Sequence, residues 1–384
     1  MGCKRVVILG STGSIGINTL KVIDRFPGKF QIVGLTAYNN VQLLEKQINK
    51  YKPPFVAVRP ERMEDLKQRI NTRVTKILNV EKELEKVVTL KSVDIVVIAM
   101  RGSEALAPFL IALRAGKMVA PANKEALVMA GDIIMRESHR YKAPIIPIDS
   151  EQSAIFQCLE GNKHHELKKI HLTASGGALL DVPQERFDRL SIKQILRHPR
   201  WSMGQKITVD SATLMNKGFE VIEAKWLFDL DVQDIQVVIH PEAIIHSMVE
   251  FVDGSIIAQM GVTDMCLPIQ YALTYPQRLG SGLKSLDFFQ IKQLTFRKPD
   301  FDKFPCLSLA IYAARRGGTL PCVLNAADEE AVGAFLQKRI SFTEIYKIVE
   351  GIVMKHTIGK NPDLEEILDA DRWAREKTRE VMDQ

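Results

Sequence analysis

The chain has 384 residues, 46% of them hydrophobic and 26% charged, and its formal net charge is +6 at pH 7. This length predicts two or three domains, and the composition excludes extensive disorder. Because there is neither a dense Lys/Arg run nor an apolar run near the roughly 20 residues of a membrane helix, no nucleic-acid partner and no membrane partner are expected. Five scattered cysteines and the lack of a visible signal peptide favour a reduced, cytoplasmic protein.

The first part of the chain alternates between short β-branched runs and amphipathic helical stretches. Strands are predicted at 5–9, 31–36, 55–58, 95–100, 117–121 and 145–148. Continuous apolar strands separated by helices are typical of a parallel sheet that is covered on both faces. The sequence therefore predicts an α/β protein whose N-terminal domain, 1–148, is of the Rossmann type.

The pattern changes after about residue 150, where the predicted strands follow one another more closely. They lie at 171–174, 206–209, 235–240, 247–252 and 255–259, with helices at 153–160 and 212–228, which predicts a central α+β domain over 149–276. Charges and prolines at about 178–205 indicate a mobile loop. A linker is predicted over 277–303, and helical periodicity then predicts a C-terminal all-α helical bundle over 304–384.

Three glycines, Gly10, Gly13 and Gly16, follow the first strand and open the first helix. Glycines let the backbone turn tightly and approach a pyrophosphate, and the helix N-terminus offers free N–H groups to it. The spacing is G-x-x-G-x-x-G rather than the G-x-G-x-x-G of common NAD enzymes. The strand–turn–helix context nevertheless favours dinucleotide binding over a plain tight turn.

The second predicted strand ends in Thr36-Ala-Tyr-Asn-Asn40 and carries no carboxylate. NAD enzymes place Asp or Glu at this point to bind the ribose 2′-hydroxyl, so its absence favours NADP. The alternative is that Asn39 and Asn40 only cap the next helix.

Two carboxylates, Asp149 and Glu151, flank Ser150 just past a predicted strand. They can converge on one hard cation if the backbone is extended there. They can equally cap the helix that follows and interact with its dipole. The spacing alone leaves both interpretations open.

Neutral and charged donors for a phosphate cluster around the start of another predicted helix. Ser211, Asn216 and Lys217 supply them. Glu220 lies one helical turn after Asn216, where a surface or capping role is as plausible as a metal-binding one. The hydroxyl-and-glycine turn at Ser175 is a further place for an anion to meet backbone N–H groups.

Seven segments together resemble one enzyme family. They are Gly-Ser-Thr-Gly-Ser-Ile-Gly at 10–16, Ala-Asn-Lys-Glu-Ala-Leu-Val at 122–128, Pro-Ile-Asp-Ser-Glu-Gln-Ser-Ala-Ile-Phe-Gln at 147–157, Leu-Thr-Ala-Ser-Gly-Gly at 172–177, the block at 198–220, Ile-His-Pro-Glu at 239–242 and Asn-Ala-Ala-Asp-Glu at 325–329. Over essentially its whole length the chain resembles the 1-deoxy-D-xylulose 5-phosphate reductoisomerases. The resemblance implies a homodimer that converts this small phosphorylated sugar to 2-C-methyl-D-erythritol 4-phosphate, with NADPH and one divalent cation, on the methylerythritol phosphate route to isoprenoids.

The resemblance also implies residue roles. Asp149, Glu151 and Glu220 would hold one Mg²⁺ or Mn²⁺, and Lys124 and His198 would complete the catalytic set. Substrate contacts would come from Ser150, Glu151, Ser175, His198, Trp201, Ser211, Asn216, Lys217 and Glu220, with Trp201 as an aromatic lid. Contacts to NADPH would come from Gly10, Thr12, Gly13, Ser14, Ile15, Gly16, Tyr38, Asn39, Asn40, Asn123, Lys124, Glu125, Met203, Gly204 and Met265.

Two positions depart from the family's usual pattern. A basic residue is usual after the second strand, where this chain has Tyr38-Asn39-Asn40, and Cys266 stands where Arg is common. Two other classes of protein also fit a glycine loop. One is a metal-free semialdehyde-type dehydrogenase, which needs an activated Cys, and the other is a redox sensor that holds NADP without turnover. The sensor would need neither the three acidic residues nor Lys217, and the sequence places no base beside the candidate nucleophiles of the dehydrogenase, Cys158 and Cys306.

Overall fold

The computed structural model describes residues 2–201 and 203–383. Its strands are β1 (Lys4–Leu9), β2 (Phe30–Thr36), β3 (Phe55–Val58), β4 (Lys76–Asn79), β5 (Ile95–Ile98), β6 (Met118–Pro121), β7 (Leu167–Ala174), β8 (Ile235–Ile239), β9 (Ile245–Phe251) and β10 (Ile256–Met260). Its α-helices are α1 (Ser14–Asp24), α2 (Val41–Tyr51), α3 (Pro60–Arg69), α4 (Glu85–Val88), α5 (Leu106–Arg114), α6 (Glu125–Tyr141), α7 (Ser150–Leu159), α8 (Ile192–Ile195), α9 (Gln205–Thr213), α10 (Met215–Leu227), α11 (Cys266–Thr274), α12 (Phe288–Ile291), α13 (Pro305–Arg316), α14 (Leu320–Leu336), α15 (Phe342–Lys355) and α16 (Leu364–Met382).

These elements fall into two compact units. The first unit comprises Met1–Ala126, Ile134–Ser153 and Asp264–Leu283, and the second comprises Leu127–Ile133, Ala154–Thr263 and Lys284–Gln384. The sequence-based division into consecutive domains ending at 148, 276 and 303 stays a prediction.

The first unit contains one parallel sheet in the order β4-β3-β2-β1-β5-β6. The chain order reverses at β1, which pairs with β2 on one side and β5 on the other. Open sheets of this kind bind ligands beyond the carboxyl ends of the strands at such a reversal. The predicted parallel sheet is therefore confirmed, although the strand predicted at 145–148 forms only one bridge, between Val119 and Ile145.

Two helices of this unit begin with local signals in the sequence. The side chain of Asn40 caps α2 by accepting a hydrogen bond from the Leu43 backbone N–H at 3.0 Å, which confirms the capping alternative for this residue. Pro60 begins α3, a position where its missing N–H and fixed φ are favourable. Leu66 is the buried residue of α3, so this helix has little apolar periodicity and the sequence pattern does not reveal it.

The second unit contains a mixed sheet in the order β10-β9-β7-β8. β7 pairs in parallel with β8 and antiparallel with β9, and β9 pairs antiparallel with β10. The predicted strand at 206–209 is wrong, because these residues belong to α9. Its β-branched residues favour a strand, but every residue from Thr208 to Thr213 is buried, and such burial on all sides overrides local propensity.

The last four helices, α13 to α16, confirm the predicted helical character of the C-terminal region. They share one hydrophobic core with the mixed sheet: Leu172 and Val249 of the sheet belong to the same buried cluster as Leu307, Leu324 and Val349 of the helices. Within the described residues, no helix combines the length and the apolar character that crossing a membrane requires.

Candidate active site

The glycine loop between β1 and α1 is closed so tightly that no side chain fits at its first and last glycines. Gly10 has a φ of +89°, and a Cβ atom there would lie 2.5 Å from the Ala99 carbonyl oxygen. A Cβ atom on Gly16 would lie 2.4 Å from the Gly10 carbonyl oxygen. Gly13 is the N-cap of α1 and has no side chain. It therefore does not cap the first N–H groups of the helix, which are the groups that bind anions at helix N-termini.

The loop is fixed to the neighbouring strand by hydrogen bonds. The Gly10 N–H donates to Thr36 Oγ1 and the Ser11 N–H donates to the Thr36 carbonyl, both at 2.8 Å. The buried Ser11 hydroxyl donates to Gln47 Oε1 at 2.7 Å. The predicted coenzyme residues of the loop therefore occupy a rigid turn at the reversal of strand order. They are Thr12, Gly13, Ser14 and Ile15.

The segment before α6 is also part of this edge of the sheet. Asn123 is 3% exposed, and its amide donates to the carbonyls of Met100 and Gly102 at 3.1 Å while its Oδ1 accepts from the Ala126 N–H at 2.9 Å. The Asn123 side chain thus holds the loop after β5 against the start of α6. This arrangement positions the two residues that follow, Lys124 and Glu125.

Lys124 and Asp149 are brought together although they are far apart in sequence. Lys124 Nζ lies 2.7 Å from Asp149 Oδ2, with 6% and 10% of the two side chains exposed. Asp149 Oδ1 accepts from the Glu151 backbone N–H at 3.3 Å, which is a capping contact for α7. The Ser150 hydroxyl hydrogen-bonds the Glu151 carboxylate. The capping interpretation is thus realised at Asp149, and its other oxygen interacts with an ammonium group.

In the second unit, a turn after β7 brings two predicted substrate-binding residues, Ser175 and His198, to one place. Ser175 Oγ lies 3.1 Å from His198 Nε2. Gly177 has a φ of +69°, and a Cβ atom there would lie 2.3 Å from the Ser211 carbonyl oxygen. Only glycine permits this approach, so the turn at Ser175 lies directly against the end of α9, which carries Ser211.

The protonation of His198 follows from its contacts. Its Nδ1 accepts hydrogen bonds from the backbone N–H groups of Arg200 at 3.1 Å and Trp201 at 2.8 Å. Burial lowers the pKa of His198 to about 4. The ring is therefore neutral at pH 7 with its proton on Nε2, and this N–H points to Ser175 Oγ.

A sharp corner at Leu214 joins α9 to α10. Leu214 has a φ of +60°, a left-handed conformation that is strained for a branched residue. The corner places Ser211 near the end of one helix, and Asn216 and Lys217 in the first turn of the next, where free N–H groups and the helix dipole favour an anion.

Glu220 lies one turn further along α10 and is 1% exposed. Asn216 Nδ2 donates to its Oε1 at 2.5 Å, and Lys217 Nζ contacts its Oε2. The surface role that the sequence left open for Glu220 is therefore wrong. A buried carboxylate is oriented here by an ammonium group and an amide, all on one helix.

The comparisons with known proteins agree with this geometry. The profile described as 1-deoxy-D-xylulose 5-phosphate reductoisomerase matches residues 6–131, its C-terminal domain matches 145–228, and a second profile, DXP reductoisomerase C-terminal domain, matches 260–377. The 1-deoxy-D-xylulose 5-phosphate reductoisomerase of Thermoanaerobacter pseudethanolicus is 50% identical over 376 residues, which cover 97% of this chain and 98% of that protein. The chain belongs to the 1-deoxy-D-xylulose 5-phosphate reductoisomerase family.

Solved structures of the reductoisomerase family have the same fold. One, in complex with NADPH, fosmidomycin and magnesium, is 42% identical with a TM-score of 0.95, covering 99% of this chain and 98% of the other. A second, from Zymomonas mobilis in complex with NADPH, is 36% identical with a TM-score of 0.93 and covers 99% of both chains.

The remaining predicted contacts of a reductoisomerase lie in irregular segments. The Trp201 ring lies 6.2 Å from that of His246. Gly204 is the N-cap of α9, and Met203 precedes it in the same unit. Met265 is the N-cap of α11 in the first unit. These residues keep the roles that the resemblance implies as predictions.

Three of the five cysteines of the chain do not support a thiol nucleophile. Cys266 is 4% exposed at the start of α11, and burial raises the pKa of its thiol. Burial also raises the pKa of Cys306 and Cys322. An activated cysteine needs a lowered pKa, so these three residues argue against the semialdehyde-type alternative.

One buried ionic group near the predicted phosphate ligands is not evident from the sequence. Lys206 Nζ lies 2.7 Å from Asp210 Oδ2 and 2.8 Å from Asp328 Oδ2, and both carboxylates are almost fully buried. The group ties α9, which carries Ser211, to α14. Its signal is the i,i+4 spacing of Lys206 and Asp210, which a predicted strand over 206–209 conceals.

Proposed function

We propose that this chain catalyses the isomerisation and NADPH-dependent reduction of 1-deoxy-D-xylulose 5-phosphate to 2-C-methyl-D-erythritol 4-phosphate, in the route to isoprenoid precursors. The observation that carries the proposal is the buried group at the start of α10, where Lys217 and Asn216 hold the Glu220 carboxylate. A protein that only transferred hydride or only sensed NADP would have no need to keep these groups buried, because each has a large desolvation penalty.

The metal ligands in this proposal are Asp149, Glu151 and Glu220, which would together hold one Mg²⁺ or Mn²⁺. Carboxylate oxygens are the donors that hard divalent cations prefer. When bound, the cation polarises the ketone and lowers the pKa of the neighbouring hydroxyl of the substrate. Lys124, whose Nζ lies 2.7 Å from Asp149 Oδ2, orients Asp149. Asn216 and Lys217 orient Glu220.

The phosphate group of the substrate would be held by Ser175, Ser211, Asn216 and Lys217, with His198. The neutral His198 ring donates from Nε2, and Lys217 supplies the charge. Because the phosphate lies apart from the bonds that change, its binding energy can be used to order the loop that carries Trp201 and to exclude water.

The decisive experiment follows NADPH absorbance at 340 nm with 1-deoxy-D-xylulose 5-phosphate as the substrate. We expect oxidation that stops on addition of EDTA and returns with excess Mg²⁺ or Mn²⁺. The control is NADPH binding by fluorescence in EDTA, which should persist because the glycine loop needs no metal. Oxidation at an unchanged rate in EDTA would exclude the metal assignment.

We further propose that the protein is a homodimer. Strand β10 forms an edge of the mixed sheet, and its Ile256 and Ile257 are 52% and 43% exposed. Phe288 and Phe289 of α12, in the same unit, are 62% and 94% exposed. Exposed apolar edge strands are typical of association surfaces. Sedimentation equilibrium should give twice the chain mass, and Ile257→Lys should shift the equilibrium to the monomer.

A cytoplasmic location is part of the same proposal. The five cysteines of the chain are free thiols, as is usual in a reducing compartment. Fractionation of cells that produce the protein should recover it with cytoplasmic marker enzymes.

A further inference from the structure

A groove of about 410 Å³ opens in the first unit between the loop after β2 and helix α3. Asn39, Asn40 and Arg62 are among the residues that line it. The ends of the strands beside the groove are joined, since the Ala37 N–H donates to the Ala57 carbonyl at 3.1 Å. The loop that borders the groove follows β2, and Thr36 at the end of β2 is hydrogen-bonded to the glycine loop, which would hold the pyrophosphate of a dinucleotide.

The β2 side of the groove has no positive charge. Asn40 Oδ1 is used to cap α2, and Asn39 is exposed and neutral. In sheets of this kind the adenosine ribose lies beyond the second strand, where an arginine accommodates a 2′-phosphate in NADP enzymes. This chain belongs to an NADPH-dependent family and lacks the basic residue that is usual after β2, so the charge must come from elsewhere.

Arg59 directly follows β3, and its side chain is held beside Tyr38, the residue before the two asparagines. Its guanidinium lies 4.5 Å from the centre of the Tyr38 ring and 3.5 Å from a Glu104 carboxylate oxygen. Stacking on Tyr38 restricts the motion of the Arg59 guanidinium before a ligand arrives. Less conformational entropy is therefore lost when a ligand binds. The Glu104 side chain is 53% exposed, so its ion pair with Arg59 is weak in water and can be exchanged for a phosphate.

Arg62 and Arg69 both line the groove but differ in their surroundings. Arg69 lies 2.6 Å from Asp65 and 3.5 Å from Glu45, so its charge is compensated. Arg62 is exposed, and its side chain forms no ion pair or hydrogen bond with any residue that the structure describes. One uncompensated guanidinium therefore faces the groove beside Asn39 and Asn40.

We propose that Arg59 and Arg62 bind the 2′-phosphate of NADPH, in place of the basic residue that is missing after β2. A 2′-phosphate is dianionic near neutral pH and has three oxygens, which suits two planar guanidinium groups. The chain would thus select NADPH over NADH by means of two arginines that follow β3.

The test measures dissociation constants of the full-length protein for NADPH and NADH by fluorescence titration, without substrate. In the double variant Arg59→Gln/Arg62→Gln we expect Kd for NADPH to rise about 10- to 100-fold, because two charge-assisted hydrogen-bonding groups are lost. Kd for NADH should stay within about 2-fold of the original, since that coenzyme has no phosphate there. Arg62→Lys should retain part of the affinity that Arg62→Gln loses.

The matched control is Arg69→Gln, which removes the same charge from the same helix at a compensated position. It should change the ratio of the two dissociation constants by less than about 3-fold. Adenosine 2′,5′-bisphosphate and 5′-AMP differ only in the 2′-phosphate, so isothermal titration calorimetry with both ligands measures the contribution of that phosphate to binding. The original protein should bind the bisphosphate more tightly, and the double variant should bind the two ligands with similar affinity. If the double variant keeps the NADPH-to-NADH ratio of the original protein, or if the control lowers it equally, the assignment is wrong.

Discussion

The glycine loop of the first unit and the proposed phosphate-binding residues of the second unit both suit anions, but they do so by different means. The glycine loop offers backbone N–H groups and has no room for a side chain at Gly10 or Gly16, where a Cβ atom would collide with backbone. The second site relies on a buried ammonium group, that of Lys217, which contacts the Glu220 carboxylate on a helix that begins at a strained corner. The first site is therefore sensitive to added volume and the second to lost charge, which single substitutions can separate.

The largest effect is expected for Glu220→Gln. It removes one proposed metal ligand while keeping the shape of the side chain, so turnover should fall by about three to four powers of ten. Because the glycine loop lies in the other unit, Kd for NADPH should change by less than about 2-fold. The exposed Glu185→Gln in the same unit as Glu220 is the matched control and should be as active as the original. Near-normal turnover of the Glu220→Gln variant would show that Glu220 is not a ligand of an essential metal ion.

Lys217→Gln tests the second site through stability. The substitution leaves the buried Glu220 carboxylate without its ammonium partner, and breaking a buried pair in this way costs about 3 kcal/mol. Urea unfolding followed by circular dichroism measures the loss. The double variant Lys217→Gln/Glu220→Gln should recover most of the stability but none of the turnover. A double variant as unstable as Lys217→Gln would show that the two residues do not act as a pair.

Gly16→Ala tests the first site by adding volume. The new Cβ atom would lie 2.4 Å from the Gly10 carbonyl oxygen, and the loop can accept it only by opening, which we expect to raise Kd for NADPH about 10- to 100-fold. Gly280→Ala in the same unit is the control, because a Cβ atom there meets nothing within 4 Å. Equal affinities of the two variants would argue against a backbone-made coenzyme site.

The smallest effect concerns pH. The pKa of His198 is lowered by burial from 6.5 to about 4, and that of His246 moves in the same direction to about 4. Between pH 6.5 and about 4 these two rings are protonated in the unfolded chain but neutral in the folded chain. Their contribution to the free energy of unfolding is therefore complete above pH 6.5 and is lost as the pH falls towards 4. Between pH 6.5 and 8 we expect no titration of either ring. Two-dimensional NMR of the histidine rings in the ligand-free protein checks this, and a midpoint near 6.5 for His198 would contradict it.

Regular, strongly patterned elements can be predicted from this sequence, and weakly patterned ones cannot. The apolar run of β1 and the glycines after it predict both a strand and its turn. β4, at Lys76–Asn79, is short and partly exposed, and α3 buries only Leu66. Neither element has the periodicity on which sequence reasoning depends. The omission of α3 is also why Arg62 receives no role from the sequence.

For the candidate site, residue types can be predicted but contacts between distant segments cannot. The sequence pattern suggests Ser175 as an anion ligand and the family resemblance adds His198 and Lys124, yet neither reveals that Ser175 meets His198 or that Lys124 meets Asp149. These pairs depend on turns such as that at Gly177 and on the packing of the whole unit. The protonation of His198 is likewise a tertiary property, because burial and two backbone N–H groups determine it.

The core shared by the mixed sheet and helices α13 to α16 has a practical consequence for anyone who wishes to shorten this enzyme. Cutting the chain before Pro305 would remove Leu307, Leu324 and Val349 from a cluster that also contains Leu172 and Val249, and would take away the Asp328 carboxylate beside Lys206. The helices are therefore an integral part of the second unit rather than an appendage. A truncated version should aggregate when expressed, and supplying the missing helices as a separate polypeptide is the way to rescue it.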